Sequence, residues 1–64
     1  MQNLRRLRQK KGFSTRHLAK RARLHWMTIW KIEKTGRLPS LRTLKKLARA
    51  LRIPVTDLLD GSTD

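Results

Sequence analysis

Apolar residues recur every three or four positions along most of this chain, which is the period of an amphipathic α-helix. The pattern predicts four helices, whose inward positions are Leu4 and Leu7, then Leu18, Ala19 and Ala22, then Ile29 and Ile32, and finally Leu41, Leu44, Leu47, Ala48 and Leu51. A short fifth helix is expected after Pro54, where Thr56 can cap it and where Leu58 and Leu59 would close the core. Because no segment shows the alternation of a β-strand, the fold class is predicted to be all-α.

The boundaries of these helices carry residues that favour capping or chain reversal. Ser14 and Ser40 are good N-caps for the second and fourth helices, and Gly12 is expected to stop the first. The segment "TGRLPS" (35–40) has the glycine and proline of a loop. We therefore expect one compact five-helix domain over residues 1–60 and a disordered tail at residues 61–64.

The third helix lies within "HWMTIWKIEK" and contains both tryptophans of the chain. With about 100° of rotation per residue, its two isoleucines point inward and the opposite face carries Met27, Lys31 and Lys34. Trp26 and Trp30 fall on a flank between these faces. We expect Trp26 to lie on the surface as a contact residue and Trp30, one turn on, to support that contact surface, and we leave open whether Trp30 also leans over the core edge.

Positive charge dominates the composition. The 64 residues include 17 lysines and arginines but only 4 acidic residues, which gives a formal net charge of +13. Glu33 is the first acid along the chain, and the other three stand at positions 57, 60 and 64. A domain this basic attracts polyanions, which means nucleic acid or an anionic membrane.

Catalysis and membrane insertion receive little support from the sequence. His17 and His25 stand on different predicted helices with no cysteine and no neighbouring acid, so we expect no catalytic site, no metal site and no cofactor. The N-terminal segment lacks the apolar run of a secretory signal, and no stretch approaches the roughly 18 apolar residues of a membrane span. A cytoplasmic location, nucleoid-associated in a bacterium, is expected.

A set of short motifs extends over nearly the whole chain: Leu7-Arg8, Gly12-Phe13-Ser14, Leu18-Ala19, Ile29, Ile32-Glu33, Pro39-Ser40-Leu41, Leu44, Leu47-Ala48-Arg49-Ala50-Leu51 and Ile53-Pro54. With these residues at this spacing, the sequence resembles the Cro/repressor (XRE-like) family of phage-type DNA-binding domains. The resemblance implies a lambda-repressor-like fold in which the second and third helices form a helix-turn-helix. It also implies sequence-specific binding of double-stranded DNA by a recognition helix that begins at Trp26 and enters the major groove.

The resemblance implies roles for individual residues as well. Base contacts are expected from Trp26, Met27, Thr28 and Lys31. Contacts to the DNA backbone are expected from Ser14, Thr15, Arg16, Trp30, Lys34, Thr35, Gly36, Arg37, Ser40 and Arg42. An ion pair between Arg8 and Glu33 is expected to tie the first helix to the third.

Several positions depart from the family pattern. Arg23 stands where glycine is usual in the turn, so a positive φ there would come at a cost. Thr35 stands where glycine usually follows the recognition helix, and His25 replaces the usual Ser or Thr cap. Trp26 and Met27 occupy positions of polar base readers, although apolar side chains can contact only a thymine methyl or a sugar.

These departures leave two origins open: a natural transcriptional regulator of the repressor type, and an engineered DNA-binding module on a natural scaffold. Two other functions also stay open, because a cationic helical domain can bind RNA or act on membranes. Duplex DNA is the partner that we expect, with no small-molecule substrate and no membrane. We expect a monomer in dilute solution, with pairing on DNA left open.

Overall fold

In a computed structural model, which describes residues 3–59, the chain forms five α-helices joined by short turns. They are α1 (Asn3–Lys10), α2 (Thr15–Ala22), α3 (Trp26–Thr35), α4 (Leu41–Leu51) and α5 (Val55–Leu59). Between residues 3 and 59 there is no strand, and the prediction of an all-α, five-helix fold is confirmed. The expected tail at residues 61–64 lies outside the described residues.

Side-chain acceptors cap the N-termini of α2, α3 and α4. Ser14 Oγ accepts a hydrogen bond from the His17 N–H at 3.0 Å, and Ser40 Oγ accepts one from the Thr43 N–H at 3.3 Å. These bonds satisfy N–H groups that have no acceptor within the helix. The predicted cap of α5 is wrong: the helix begins at Val55, so Thr56 lies inside its first turn.

Residues with positive φ follow the first four helices. They are Gly12 (80°), Arg23 (57°), Gly36 (70°) and Arg52 (59°). After α1, α2 and α4 the next N–H reaches back over the last turn, from Phe13 to Arg8 O, from Leu24 to Ala19 O and from Ile53 to Ala48 O, at 2.9–3.0 Å. Glycine adopts this conformation freely, whereas the Cβ of arginine makes it costly, so two of the four chain reversals are strained.

All five helices contribute to one core. Its most deeply buried large side chains are Leu4, Leu18, Ile29, Leu47, Leu51 and Leu58. Two residues that the pattern assigned to the interior are exposed instead: Leu41 at 60% and Leu59 at 53%. Leu41 is the first residue of α4 and Leu59 the last of α5. At a helix end, periodicity does not tell whether another element covers the inward side.

Candidate nucleic-acid interface

The turn between α2 and α3 is held by backbone bonds and by one histidine. The Leu24 N–H donates to Ala19 O at 2.9 Å, and the Leu24 side chain packs against the core. His25 Nδ1 then accepts the Met27 N–H at 3.1 Å and caps α3, as the sequence predicts. Helices α2 and α3 therefore form a helix-turn-helix in which Arg23, not glycine, makes the left-handed step.

The outward face of α3 is cationic and partly apolar. Ile29 and Ile32 are buried and fasten the helix to the core. The exposed residues include Met27, Trp30, Lys31 and Lys34, and Met27 and Trp30 expose 38% and 44% of their surface. Thr28 lies between the two faces and is half-buried.

The two tryptophans differ in their exposure, and Trp26 is more buried than expected. Trp26 is partly buried and packs against the core, whereas Trp30 is exposed. The expectation that Trp26 lies on the surface is therefore wrong as to its burial, and the position of Trp30, which the sequence left open, is on the surface. Trp26 is covered because neighbouring side chains close over its ring: the Arg16 guanidinium carbon lies 4.9 Å from its centroid, and the His25 ring stacks beside it with centroids 5.8 Å apart.

The N-terminus of α2 is suited to binding an anion. The Ser14 hydroxyl is the N-cap of the helix, because it accepts the hydrogen bond from the His17 N–H. The N–H groups of Thr15 and Arg16, the first two of the helix, have no acceptor within it. These N–H groups carry the positive end of the helix dipole, and Arg16 adds a full positive charge to the same helical turn.

The loop after α3 is ordered by Thr35. Its hydroxyl donates to Lys31 O at 2.6 Å and accepts the Arg37 N–H at 3.3 Å, so it fixes the chain on both sides of Gly36. Gly36 takes φ = 70° and ends the helix. The loop residues Thr35, Gly36, Arg37 and Ser40 are all exposed. This stretch leads into α4, where the exposed Arg42 stands one residue after the helix start.

Arg8 connects three parts of the fold. Its Nε and Nη2 atoms donate to the two Glu33 carboxylate oxygens at 2.7 and 3.1 Å, and its Nη1 donates to Phe13 O at 2.8 Å. The side chains of the pair are only 11% and 10% exposed. The hydrogen bond to Glu33 raises the pKa of Arg8, and burial opposes that shift. The pair joins α1, α3 and the turn before α2.

A small cleft brings some of the predicted contact residues together. Thr15, Trp30 and Lys34 line a space of about 190 Å³ together with Arg5 and the Arg8–Glu33 pair. Arg5 was not among the predicted contacts, because nothing in the pattern of α1 distinguishes it from the other arginines there. Arg42 is not part of this cleft and lines a different groove, between α2 and α4.

Residues 3–59 contain neither a cluster of metal ligands nor a helix that could span a membrane. No group of three or more His, Cys, Asp or Glu side chains is placed to hold a metal ion. None of the helices in that range has the length and apolar character needed to cross a membrane.

This fold and its exposed α3 face define a helix-turn-helix protein. The sequence profile of the helix-turn-helix domain family matches residues 2–60, so the chain belongs to this family, and the resemblance noted from the sequence is confirmed. Among curated proteins, no significant match was found. Among solved structures, the chain is similar to the N-terminal DNA-binding domain of SinR from Bacillus subtilis. The two chains are 30% identical and superpose with a TM-score of 0.86, over 98% of this chain and 93% of the other.

Proposed function

We propose that this domain binds double-stranded DNA in a sequence-specific manner, with α3 in the major groove. The observation that carries the proposal is the cationic outward face of α3 beside the open N-terminus of α2. A major groove about 12 Å wide admits an α-helix, and an anion-binding helix end next to it suits the flanking phosphates. The similarity to the N-terminal DNA-binding domain of SinR supports the same function.

Each part of the interface has its own chemistry in this proposal. Lys31 is the donor to guanine O6 or N7, or to a phosphate, and Met27 covers a thymine methyl or a sugar. Trp26 stands at the edge of this surface, and its ring supports the Arg16 guanidinium. Arg16 and the N–H groups of α2 bind phosphate, which fixes the position of the protein without reading sequence.

The remaining backbone contacts surround that centre. Trp30 and Lys34 form one border, and the loop from Thr35 to Ser40, with Arg42, forms another. The domain over residues 1–60 would act in the cytoplasm as a repressor-like transcriptional regulator, because a bound domain blocks its site sterically. In this proposal the domain is a binding module and not an enzyme. It is a monomer in dilute solution, and pairing on DNA would require two half-sites one helical turn apart.

The decisive experiment is selection from a randomised duplex pool, followed by sequencing of the bound fraction. A specific binder returns a defined motif. Lys31→Ala should then weaken binding to that motif by about 1–3 kcal/mol, the size of one lost base contact. Lys10→Ala is the matched control, since it removes another exposed lysine, at the end of α1.

Competition distinguishes the alternatives. Duplex RNA of the selected sequence and anionic vesicles are added to the DNA complex in separate titrations. Little displacement by either is expected, because a deep A-form major groove does not admit a side-chain reader and a short capped helix offers no long apolar stripe. A pool without enrichment, or displacement by RNA at equal concentration, would reject specific DNA binding.

A further inference from the structure

A second basic surface lies between α2 and α4. A groove of about 830 Å³ is lined by Ala22 and Leu41 and by six cationic residues: Arg21, Arg23, Arg42, Lys45, Lys46 and Arg49. On α4 the four cations stand at positions 42, 45, 46 and 49, so that four of their pairs are three or four residues apart, and they form one exposed stripe opposite the buried leucines of that helix. We call this surface the α2–α4 groove.

The charges of this groove are not balanced by acids. Within residues 3–59, the carboxylates are Glu33, which pairs with Arg8, and Asp57 at α5. Arg21 donates to Ala50 O at 3.4 Å and lies over the Phe13 ring. Neither of these two partners is a carboxylate. Like charges three or four positions apart destabilise a helix by about 0.2–0.5 kcal/mol per pair. The stripe is therefore a cost to the isolated domain that an anionic ligand would offset.

The groove is separate from the proposed DNA interface along the length of α2. The anion site stands at the N-terminus of α2, whereas Arg21 and Arg23 stand at its C-terminal end. Eight residues separate Thr15 from Arg23, which is about 12 Å at 1.5 Å per residue. Only Arg42 is common to the groove and to the proposed DNA contacts. A ligand centred on Lys46 and Arg49 would therefore leave the outward face of α3 free.

The shape and the apolar content of the groove indicate what it accepts. Its volume is in the range of clefts that take one small ligand or one chain segment, and a rigid duplex would rest on the rim instead. Leu41 is 60% exposed at the wall, and the aliphatic stems of lysine and arginine add further apolar surface. The phosphates of a nucleic acid present only charge to this wall, whereas a peptide can place a whole apolar side chain against it.

We propose that the α2–α4 groove binds an acidic segment of a partner protein, with carboxylates on Lys45, Lys46 and Arg49 and an apolar side chain against Leu41. Clusters of basic residues that recognise acidic motifs in this way are a recurrent mode of peptide binding. The site gives this domain a protein partner while α3 is free to bind elsewhere. It does not depend on the proposed DNA binding, because it can be measured with no DNA present.

The test uses the full chain and a short fluorescein-labelled peptide with glutamate at every third or fourth position around one central leucine. Binding is followed by fluorescence anisotropy, and amide chemical shifts locate it on the domain. Replacing Lys46→Glu and Arg49→Glu together should weaken the peptide roughly tenfold, since two charge-assisted contacts become repulsive. The pair Lys10→Glu and Lys11→Glu makes the same change in net charge outside the groove and should cost no more than about twofold.

Two further comparisons make the test specific to a peptide. Leu41→Ala should weaken the peptide, whereas Leu59→Ala, at a similarly exposed leucine outside the groove, should not. Circular dichroism confirms that each variant is folded. The proposal is overturned if the wild-type chain does not bind the peptide at low salt, or if both charge pairs weaken it equally. It is also overturned if the groove pair weakens mixed-sequence duplex DNA more than the control pair does, because the groove would then be a DNA surface.

Discussion

The guanidinium carbon of Arg16 lies 4.9 Å from the centroid of the Trp26 ring, so the first turn of α2 and the first turn of α3 are in direct contact. A cation over an indole is attracted by the negative face of the ring, by about 0.5–1 kcal/mol at exposed sites. Through this contact Trp26, on the helix proposed to read bases, orients the side chain of Arg16, which is proposed to bind phosphate. Trp26 is thereby part of the fold and of the proposed interface together.

Replacing Trp26→Ala should lower the free energy of unfolding by about 1–3 kcal/mol. This is less than the roughly 3–5 kcal/mol of a wholly buried tryptophan, because Trp26 is only partly buried. Trp30→Ala is the matched control and should cost less than about 1 kcal/mol, since Trp30 is 44% exposed. Urea unfolding of both variants measures the difference. Equal losses would mean that Trp26 does not support the core.

The Arg8–Glu33 pair should be strongly coupled in stability. Breaking a buried ion pair costs about 3–5 kcal/mol because the remaining charge loses its partner, and this pair, slightly exposed, should fall at or just below that range. We expect Arg8→Met and Glu33→Gln together to cost less than the sum of the single changes, by about 1–3 kcal/mol. A double-mutant cycle in urea measures this coupling. Strict additivity would show that the pair contributes nothing beyond its separate residues.

The two left-handed arginines should each be a site of stabilisation. Arg52→Gly and Arg23→Gly relieve a strain of about 1–2 kcal/mol, part of which is lost because glycine makes the unfolded chain more flexible. A net gain of about 0.5–1 kcal/mol is expected for each.

Gly12→Ala tests the same strain in the opposite direction, because it places a Cβ at a residue with positive φ. A Cβ at Gly12 would meet no atom within 4 Å, so only its φ of 80° opposes the change. We expect a loss of about 1 kcal/mol in thermal unfolding. Destabilisation by both Arg→Gly changes would show that the arginine side chains have contacts worth more than the strain.

DNA binding should depend steeply on salt. If six to ten phosphates are neutralised, affinity should fall by about 10³–10⁵ between 50 and 200 mM salt. Arg16→Ala and Arg42→Ala should each weaken binding to all sequences alike and should each reduce the salt slope by about one phosphate contact. Titrations at several salt concentrations measure the slope. A change in sequence preference in either variant would contradict its assignment to the backbone.

Local features of this fold could be predicted from the sequence because they depend on near neighbours along the chain. The caps at Ser14, His25 and Ser40 are examples, since each bonds an N–H two or three residues further on. The inward positions of Ile29 and Ile32 follow from the helical period alone. The charge of the surface is likewise a matter of composition.

Tertiary structure decided which side of each helix another helix covers. Trp26 and Trp30 stand on the same flank of α3, one turn apart, yet only Trp26 meets Arg16 and the core. Leu41 and Leu59 have the period of core residues and are exposed, because none of the five helices within residues 3–59 covers those ends. The α2–α4 groove also has no sequence signature, since its cations come from segments about twenty residues apart. The period of a helix sets the direction of a side chain, but only the packing of distant segments decides what that side chain contacts.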